Sequence, residues 1–491
     1  MSGGPTASPA GADSAYAPEP CADFNPIFDG APELDLPATA DCGYLTVPEN
    51  RTKPAGRTIR IAVARLPAVA AQPKPDPILY LAGGPGNTSF ANAVGLAEAG
   101  WNTDRDVILI DQRGTLKAQP LLACPEVDEY HRAAVHLAPT RPRAAAEEVA
   151  AVRTCRARLT ADGWDLSAFN TTEASADVAD LRVAMGIAEW NVYGVSYGTD
   201  LALQTLRDHP AGIRTVVLDS VLPPQVNLIA QGWPNAALAY RSLFDACASQ
   251  PDCATAFPSL EREFRSLVNT LTSRPRVVKV TDPAAQATVD VVIDGYTLAN
   301  LVLVSMAPGS ITGVPALIHD LAVGDGTVAA TALLRRPPIG LAGWGLNYGV
   351  HCREQAPFTD RREVEALARK AFPEFPGAVL ARVPQLFTPL QNCAAWNVPA
   401  APNSVRTAAI SDLPVLIFAG GLDPITPQIW AEAAKSGLSR SRLIRAPSAG
   451  HDVMHWESAC AVPLMHSFLN APLDALSDCL ATAAIPMFDT E

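Results

Sequence analysis

The segment with the clearest chemical potential is Gly194-Val195-Ser196-Tyr197-Gly198, which lies between an apolar run and a helical pattern. A serine on a sharp strand-to-helix turn holds its hydroxyl out of the sheet, and glycines on either side avoid clashes with neighbouring elements. The N-terminus of the following helix favours negative charge that develops nearby. The pattern therefore predicts that Ser196 is a nucleophile.

An acid and a base follow the serine in the chain order that such a scaffold uses. Asp423 comes after the apolar run VLIFAGG, and His451 comes after RLIRAP. We expect His451 to act as general base towards Ser196, and Asp423 to hold the imidazole in the required tautomer. The nearest rival base is His455, in the following helical stretch. The rival acid is Asp452, which is adjacent to the histidine and therefore poorly placed to reach its far ring nitrogen.

A glycine loop supplies a candidate oxyanion hole. Gly83-Gly84-Pro85-Gly86 follows an apolar strand pattern, and one oxyanion donor of such hydrolases comes from this loop while the other follows the nucleophile. We assign the backbone N–H groups of Gly84 and Tyr197 to this role. The alternative is that the glycines only form a tight turn.

Apolar runs alternate with helical patterns before and after a long, mainly helical stretch. This alternation indicates an α/β core with a mostly parallel sheet. We expect a disordered leader over 1–40, the first part of the core over 41–222, a helical cap over 223–405 and the rest of the core over 406–491. One hairpin is predicted inside the cap, from RVVKV and VDVVI.

The ten cysteines are even in number and spread along the chain, without the spacing of a zinc or redox motif. This usage indicates disulfides and an oxidising compartment, so we expect a secreted or cell-envelope protein; the alternative is ten free thiols. Sequence alone does not determine the connectivity. Because pairing of neighbours closes short local loops, we favour Cys21–Cys42, Cys124–Cys155, Cys247–Cys253, Cys352–Cys393 and Cys460–Cys479.

Net charge and hydrophobic composition restrict the classes of partner that the protein is expected to bind. The net charge of −13 disfavours nucleic acid and anionic membranes, which repel an acidic surface. No apolar run approaches the ~18–20 residues of a membrane span, and no signal peptide is recognisable at the start of the chain. We expect a monomer that acts on a peptide or small ester without a metal or organic cofactor.

The chain resembles the proline iminopeptidase and tripeptidyl aminopeptidase group of α/β-hydrolases. The segments that carry the resemblance are Gly83-Gly84-Pro85-Gly86, Asp111-Gln112-Arg113-Gly114, Gly194-Val195-Ser196-Tyr197-Gly198, Gly421-Leu422-Asp423-Pro424 and Gly450-His451. Proline iminopeptidases usually have His at the position of Ala82 and Trp at that of Tyr197. The chain is in these respects more similar to the secreted tripeptidyl aminopeptidase branch, so strict N-terminal proline specificity is not expected.

The resemblance implies an α/β-hydrolase fold and cleavage of peptide bonds near free N-termini through an acyl-enzyme. In this group the cap provides a carboxylate for the substrate amine, and Glu354 in His351-Cys352-Arg353-Glu354 is the candidate; the alternative is that Glu354 pairs with Arg353 or Arg361. Two other functions remain open: a carboxylesterase that uses the same triad, and a hydrolase-like binding protein without catalysis.

Overall fold

The computed structural model describes residues 14–24, 36–283, 285–307, 309–335, 340, 342–384, 390–477 and 479–490. Its strands are β1 Ala15–Glu19, β2 Asp41–Pro48, β3 Thr58–Leu66, β4 Ile78–Leu81, β5 Val107–Ile110, β6 Trp190–Val195, β7 Ile213–Asp219, β8 Arg276–Asp282, β9 Ala287–Ile293, β10 Val415–Gly420 and β11 Ser441–Ala446. Nine of them form one sheet in the order β1-β2-β3-β5-β4-β6-β7-β10-β11, while β8 and β9 form the predicted hairpin.

The sheet is mixed, with an antiparallel part and a longer parallel part. The antiparallel part contains the neighbouring pairs β1–β2, β2–β3 and β3–β5. The parallel part contains the neighbouring pairs β5–β4, β4–β6, β6–β7, β7–β10 and β10–β11. Parallel strands end at the same edge of a sheet. The loops after β4, β6, β10 and β11, which carry the predicted site residues, therefore meet at one edge.

Helices cover both faces of the sheet and make up most of the chain between β7 and β10. They are α1 Ala93–Glu98, α2 Pro125–Ala133, α3 Pro142–Ala161, α4 Thr171–Ala184, α5 Tyr197–Asp208, α6 Gly232–Ser249, α7 Pro251–Ala256, α8 Leu260–Ser273, α9 Gly295–Val304, α10 Val314–Val323, α11 Thr327–Leu334, α12 Trp344–Val350, α13 Arg361–Ala371, α14 Gly377–Leu380, α15 Leu390–Trp396, α16 Gln428–Lys435, α17 Val453–Trp456 and α18 Ser458–Asn470. A π-helical turn, His351–Gln355, follows α12.

The core consists of two layers separated by the sheet. In β4 the residues alternate between them: Leu79 and Leu81 pack into one layer, and Ile78 and Tyr80 pack into the other. Alternation is the expected result of the two-residue period of a strand. Because both faces are covered in the middle of the sheet, β4, β5 and β10 are apolar almost throughout, as their sequences predict.

A third apolar cluster lies between β7 and β10 along the chain. It comprises side chains from all helices between α6 and α11, and from α13 and α14, and it is centred on Tyr240, Phe264 and Phe372. Phe488, near the end of the chain, also packs into it. The side chains of α12 and α15 instead pack with the sheet. The segment 223–405 thus contributes to the core beside the sheet as well as to clusters of its own, although its sequence pattern predicts one cap.

The described cysteines form five disulfides, with Cα–Cα distances between 4.8 Å and 6.2 Å. The pairs are those that we favoured from sequence: Cys21–Cys42, Cys124–Cys155, Cys247–Cys253, Cys352–Cys393 and Cys460–Cys479. The first of them lies beside β1. This strand belongs to the segment 1–40, expected to be a disordered leader, and it pairs with β2 of the core. Backbone pairing and the disulfide order these residues, and a composition rich in Pro, Ala and Gly does not reveal either.

Within the described ranges, no helix is long and apolar enough to span a membrane.

Candidate active site

The predicted nucleophile lies on a sharp turn between β6 and α5. Ser196 has φ 57° and ψ −127°, a backbone conformation that costs about 1–3 kcal/mol for a non-glycine residue. A Cβ atom at Gly194 would overlap the carbonyl oxygen of Gly198, and one at Gly198 would overlap that of Leu81. The two glycines are therefore required by close backbone approach, which is the reason predicted from the pattern.

The glycine loop after β4 lies directly against the nucleophile. A Cβ atom at Gly83 would come within 2.8 Å of the Cβ of Ser196, and Gly84 has φ 112°, a conformation that favours glycine. The N–H of Tyr197 is the first of α5 and has no acceptor within the helix. Neither this N–H nor that of Gly84 donates to any described residue of the protein, so both are available to a ligand.

The candidate acid and base are in direct contact. The Nδ1 atom of His451 lies 3.1 Å and 3.0 Å from the two carboxylate oxygens of Asp423. Oδ1 of Asp423 also accepts the backbone N–H groups of Ile425 and Thr426, at 2.8 Å and 2.9 Å. Its Oδ2 accepts the hydroxyl of Thr426 at 2.6 Å. The carboxylate is thus fixed by four groups, and its orientation towards the imidazole follows from the turn that it caps.

Each member of the Asp423–His451 pair shifts the pKa of the other in the direction that favours its charged form. Burial alone would raise the pKa of Asp423, but the charge and hydrogen bond of His451 and the hydrogen bonds of Thr426 outweigh it and lower the pKa. Burial lowers the pKa of His451, but the charge and hydrogen bond of Asp423, together with the charges of Asp452 and Asp219, outweigh burial and raise the pKa. The contact therefore favours an ionised carboxylate and stabilises the imidazolium that a general base must become.

The rival residues make other contacts. Asp452 has φ 67°, and its carboxylate accepts the N–H of His455 at 3.2 Å, which starts the short helix α17. His455 itself is exposed. The acid that contacts the imidazole Nδ1 of His451 is thus Asp423, whereas the carboxylate of Asp452 is directed at the N–H of His455.

Ser196, His451 and Gly84 line one cavity of about 810 Å³, a volume typical of sites for small ligands. One part of its wall is apolar and comes from the hairpin, α9 and α11: Val291, Val292, Leu301, Leu303, Val304, Ala332 and Leu333. The charged part of the wall comprises Asp128, Arg132, Glu148, Arg335, Arg382 and Asp452. The cavity can therefore receive an extended ligand that carries both apolar and charged groups.

Glu354 lies in the π-helical turn and is not among the residues that line this cavity. Its two carboxylate oxygens accept the N–H and the hydroxyl of Thr171, at 2.8 Å and 2.7 Å, and the same hydroxyl lies 2.9 Å from the phenol oxygen of Tyr197. Burial raises the pKa of Glu354 to about 7, although the hydrogen bonds of Thr171 oppose the shift. Glu354 forms no ion pair with Arg353 or Arg361 among the described contacts. In this structure its carboxylate caps the start of α4, behind the nucleophile turn.

Sequence reasoning missed Thr426, whose hydroxyl lies 3.2 Å from His451 Nδ1 as well as against Asp423. The spacing of Asp423 and Thr426, three residues apart, is a turn signal that would have indicated it. It also missed Asp219 and Ser220 at the carboxyl end of β7, which contact both loops of the site.

The Asp-Gln-Arg-Gly segment has a structural role. The Arg113 guanidinium is fully buried and donates to both carboxylate oxygens of Asp177, at 2.8 Å and 2.7 Å, and to two backbone carbonyls. Asp111 accepts N–H and hydroxyl groups from residues 88, 89 and 117. These contacts brace the loop after β5. Among the residues that the structure describes, no His, Cys, Asp and Glu side chains are grouped to bind a metal ion.

The chain is similar in sequence to several known hydrolases. Serine protease Hip1 of Mycobacterium tuberculosis is 24% identical over 481 residues, which cover 91% of this chain and 88% of that protein. Tripeptidyl aminopeptidase of Streptomyces coelicolor is 31% identical over 206 residues, 40% and 38% of the two chains. Carboxylesterase B of Mycobacterium tuberculosis is 24% identical over 483 residues, 89% and 86%. The predicted resemblance is thus confirmed at the level of the group.

A family model described as the alpha/beta hydrolase fold matches residues 76–458. The chain therefore belongs to the α/β-hydrolase family, as the order of its motifs predicts.

Proposed function

We propose that this hydrolase cleaves peptide bonds near free N-termini through an acyl-enzyme formed on Ser196. The observation that carries the proposal is the contact of His451 with the buried carboxylate of Asp423 on the wall of the cavity that also holds Ser196. The amides of Gly84 and Tyr197, free of protein acceptors in the described structure, support the proposed oxyanion hole.

In the proposed reaction, His451 Nε2 takes the hydroxyl proton as Ser196 Oγ attacks the substrate carbonyl carbon. The N–H groups of Gly84 and Tyr197 donate to the oxyanion; the loss of one such donor typically costs about 3–4 kcal/mol of barrier. The imidazolium then returns its proton to the leaving amine, and the C–N bond breaks. Water, activated by the same imidazole, hydrolyses the ester and frees the serine.

The charged part of the cavity wall favours a peptide over a simple ester. The Asp128 carboxylate accepts the N–H of Gly340 at 2.8 Å and the indole N–H of Trp344 at 2.7 Å. Burial raises the pKa of Asp128, and the charge of Arg132 opposes this shift only in part. An ammonium group bound beside the carboxylate would favour its ionised form further. Asp128 is thus a second candidate for the substrate amine, beside the predicted Glu354.

A carboxylesterase remains the rival function, since one of the relatives is named as such and the fold accommodates many chemistries. We also propose an extracellular or cell-envelope location, supported by the five disulfides. We further propose that the protein is a monomer, with a core domain over 41–222 and 406–491 and a cap domain over 223–405.

The test is a panel of tripeptidyl and aminoacyl amides, each with a free and an acetylated N-terminus, against short acyl esters. A fluorophosphonate label on Ser196 establishes that the serine is reactive. We expect a preference for free N-termini, which Asp128→Asn or Glu354→Gln reduces according to which carboxylate binds the amine. Equal hydrolysis of free and blocked peptides, with faster turnover of esters, would replace the peptidase with the esterase. A protein that neither reacts with the label nor turns over any substrate would be the binding protein.

A further inference from the structure

Two adjacent residues at the carboxyl end of β7 contact both loops of the proposed active site. The carbonyl oxygen of Asp219 accepts the backbone N–H of Ser196 at 3.0 Å. The hydroxyl of Ser220 accepts the N–H of Asp452, the residue after His451, at 2.8 Å. A single strand end thus connects the nucleophile turn to the histidine loop.

The side chain of Asp219 strengthens this connection. Its carboxylate, fully buried, accepts the N–H of Val453 with one oxygen and the N–H of Met454 with the other, both at 2.9 Å. The hydroxyl of Tyr193 in β6 donates to it at 3.1 Å. Backbone N–H groups at the start of a helix lack acceptors in the helix itself. The carboxylate therefore satisfies donors of α17 that would otherwise be buried without a partner.

Backbone strain is concentrated at the same place. Among the described residues, five that are not glycine have positive φ, and three of them are Ser196, Ser220 and Asp452, at 57°, 56° and 67°. Such conformations persist only where surrounding contacts hold them. The hydrogen bonds of Asp219 and Ser220 link these three residues, and they are the contacts that can maintain the strained geometry.

The cluster is also charged. Burial lowers the pKa of His451, but the carboxylates of Asp423, Asp452 and Asp219 outweigh it and raise the pKa. The pKa of Asp452 is itself raised to about 7, by burial and then by the charge of Asp219. The other titratable groups that face this cluster are two buried phenols, Tyr80 and Tyr193.

We propose that Asp219, with Ser220, is a positioning residue that holds the loop of His451 at a fixed distance and angle from the turn of Ser196. This inference rests on the proposed function, because it gives His451 and Ser196 their catalytic roles. Asp219 acts through the loop: its carboxylate is bound to the protein on both oxygens and does not line the cavity.

The test compares Asp219→Asn and Ser220→Gly with wild type, with rates expressed per site labelled by a fluorophosphonate. An amide at 219 accepts only one of the two loop N–H groups, so we expect kcat to fall about 10- to 100-fold while KM stays within about twofold. Asp219→Asn also removes a negative charge that raises the pKa of His451. The acid limb of the kcat/KM profile, which follows this pKa, should therefore move to lower pH. Asp200→Asn is the matched control: it is a buried acid in α5 that contacts neither loop, and its rate and pH profile should equal those of wild type.

A purely structural role would reduce the number of labelled sites and leave the rate per site and the acid limb unchanged, and that result would overturn the proposal. If Asp219→Asn does not fold, Ser220→Gly decides. Glycine relieves the positive φ and removes only the hydroxyl, so we expect a lower kcat per site with an unshifted acid limb; a wild-type kcat would overturn the proposal. Failure of the proposed function is a separate result, because it would show as a wild-type protein that the label does not modify at Ser196.

Discussion

Asparagine at position 423 would keep the shape of the aspartate and change which ring nitrogen of His451 carries the proton. The amide oxygen is expected at the Oδ1 position, where Ile425 and Thr426 each donate a backbone N–H, at 2.8 Å and 2.9 Å. The opposite orientation would direct the amide N–H groups at these two donors and leave both without an acceptor, at about 1–3 kcal/mol each. The NH2 group therefore takes the position of Oδ2, 3.0 Å from His451 Nδ1.

The NH2 group only donates, and the oxygen at Oδ1 already accepts two backbone N–H groups. An accepting Nδ1 is therefore favoured, and the ring proton moves to Nε2. That tautomer cannot take the proton of Ser196. From the corresponding change in serine hydrolases we expect kcat to fall by about 10⁴-fold, or about 5.4 kcal/mol at 1.36 kcal/mol for each factor of ten. KM should change little, because the carboxylate is buried behind the imidazole and does not touch substrate.

The measurement is steady-state turnover of a free tripeptidyl amide, with folding checked by circular dichroism. Asp452→Asn is the comparison, since this acid is adjacent to His451 but does not contact Nδ1; its loss should stay below about tenfold. The reasoning is refuted if Asp423→Asn keeps more than about one tenth of wild-type kcat, or if the two variants lose activity equally.

Four further predictions concern the nucleophile, the cysteines and, in two cases, the buried Glu354. Ser196→Ala should abolish turnover with little change in the melting temperature, and a residual rate within about tenfold of wild type would mean that another residue attacks. Titration of thiols in denaturant without reductant should find roughly none, and most of the ten cysteines reacting would remove the case for an oxidising compartment. Glu354→Gln should reduce kcat/KM for free peptides by about 10- to 150-fold and leave a neutral ester unaffected if Glu354 binds the amine; equal losses on both would assign it a structural role. Because the folded state raises the pKa of Glu354 from 4.5 to about 7, the stability that its protonation contributes is lost as pH rises through this range. The melting temperature of wild type should therefore fall more steeply between pH 5 and pH 8 than that of Glu354→Gln, measured by thermal denaturation, and parallel curves would contradict the shift.

Features of the fold and of the site could be predicted from sequence where a short segment determines its own backbone geometry. A side chain at Gly194 would overlap the carbonyl oxygen of Gly198 within the same turn, and Asn170, just before α4, accepts the N–H of Glu173 at 3.0 Å. Asp423 and His451 could be found because each follows a parallel strand with an apolar centre, and parallel strands end at one edge of the sheet.

Contacts between distant segments could not be read in this way. The position of Glu354 depends on Thr171, 183 residues earlier, and the role of Asp219 depends on a loop more than 230 residues later. In both cases the local pattern shows only an acidic residue near an apolar run. The return of α12 and α15 to the sheet was missed for the same reason, since their apolar faces suit a cap as well as the core.

The order of the disulfides has a consequence for how the chain is made. The cysteines pair in the order of the sequence, the first with the second, the third with the fourth and so on, with separations of 21, 31, 6, 41 and 19 residues. A polypeptide that emerges N-terminus first into an oxidising compartment then exposes a single unpaired thiol before the partner of that thiol arrives. If each bond closes as its second cysteine emerges, the native pairs form in the order of synthesis, and no wrong partner is present to be exchanged later.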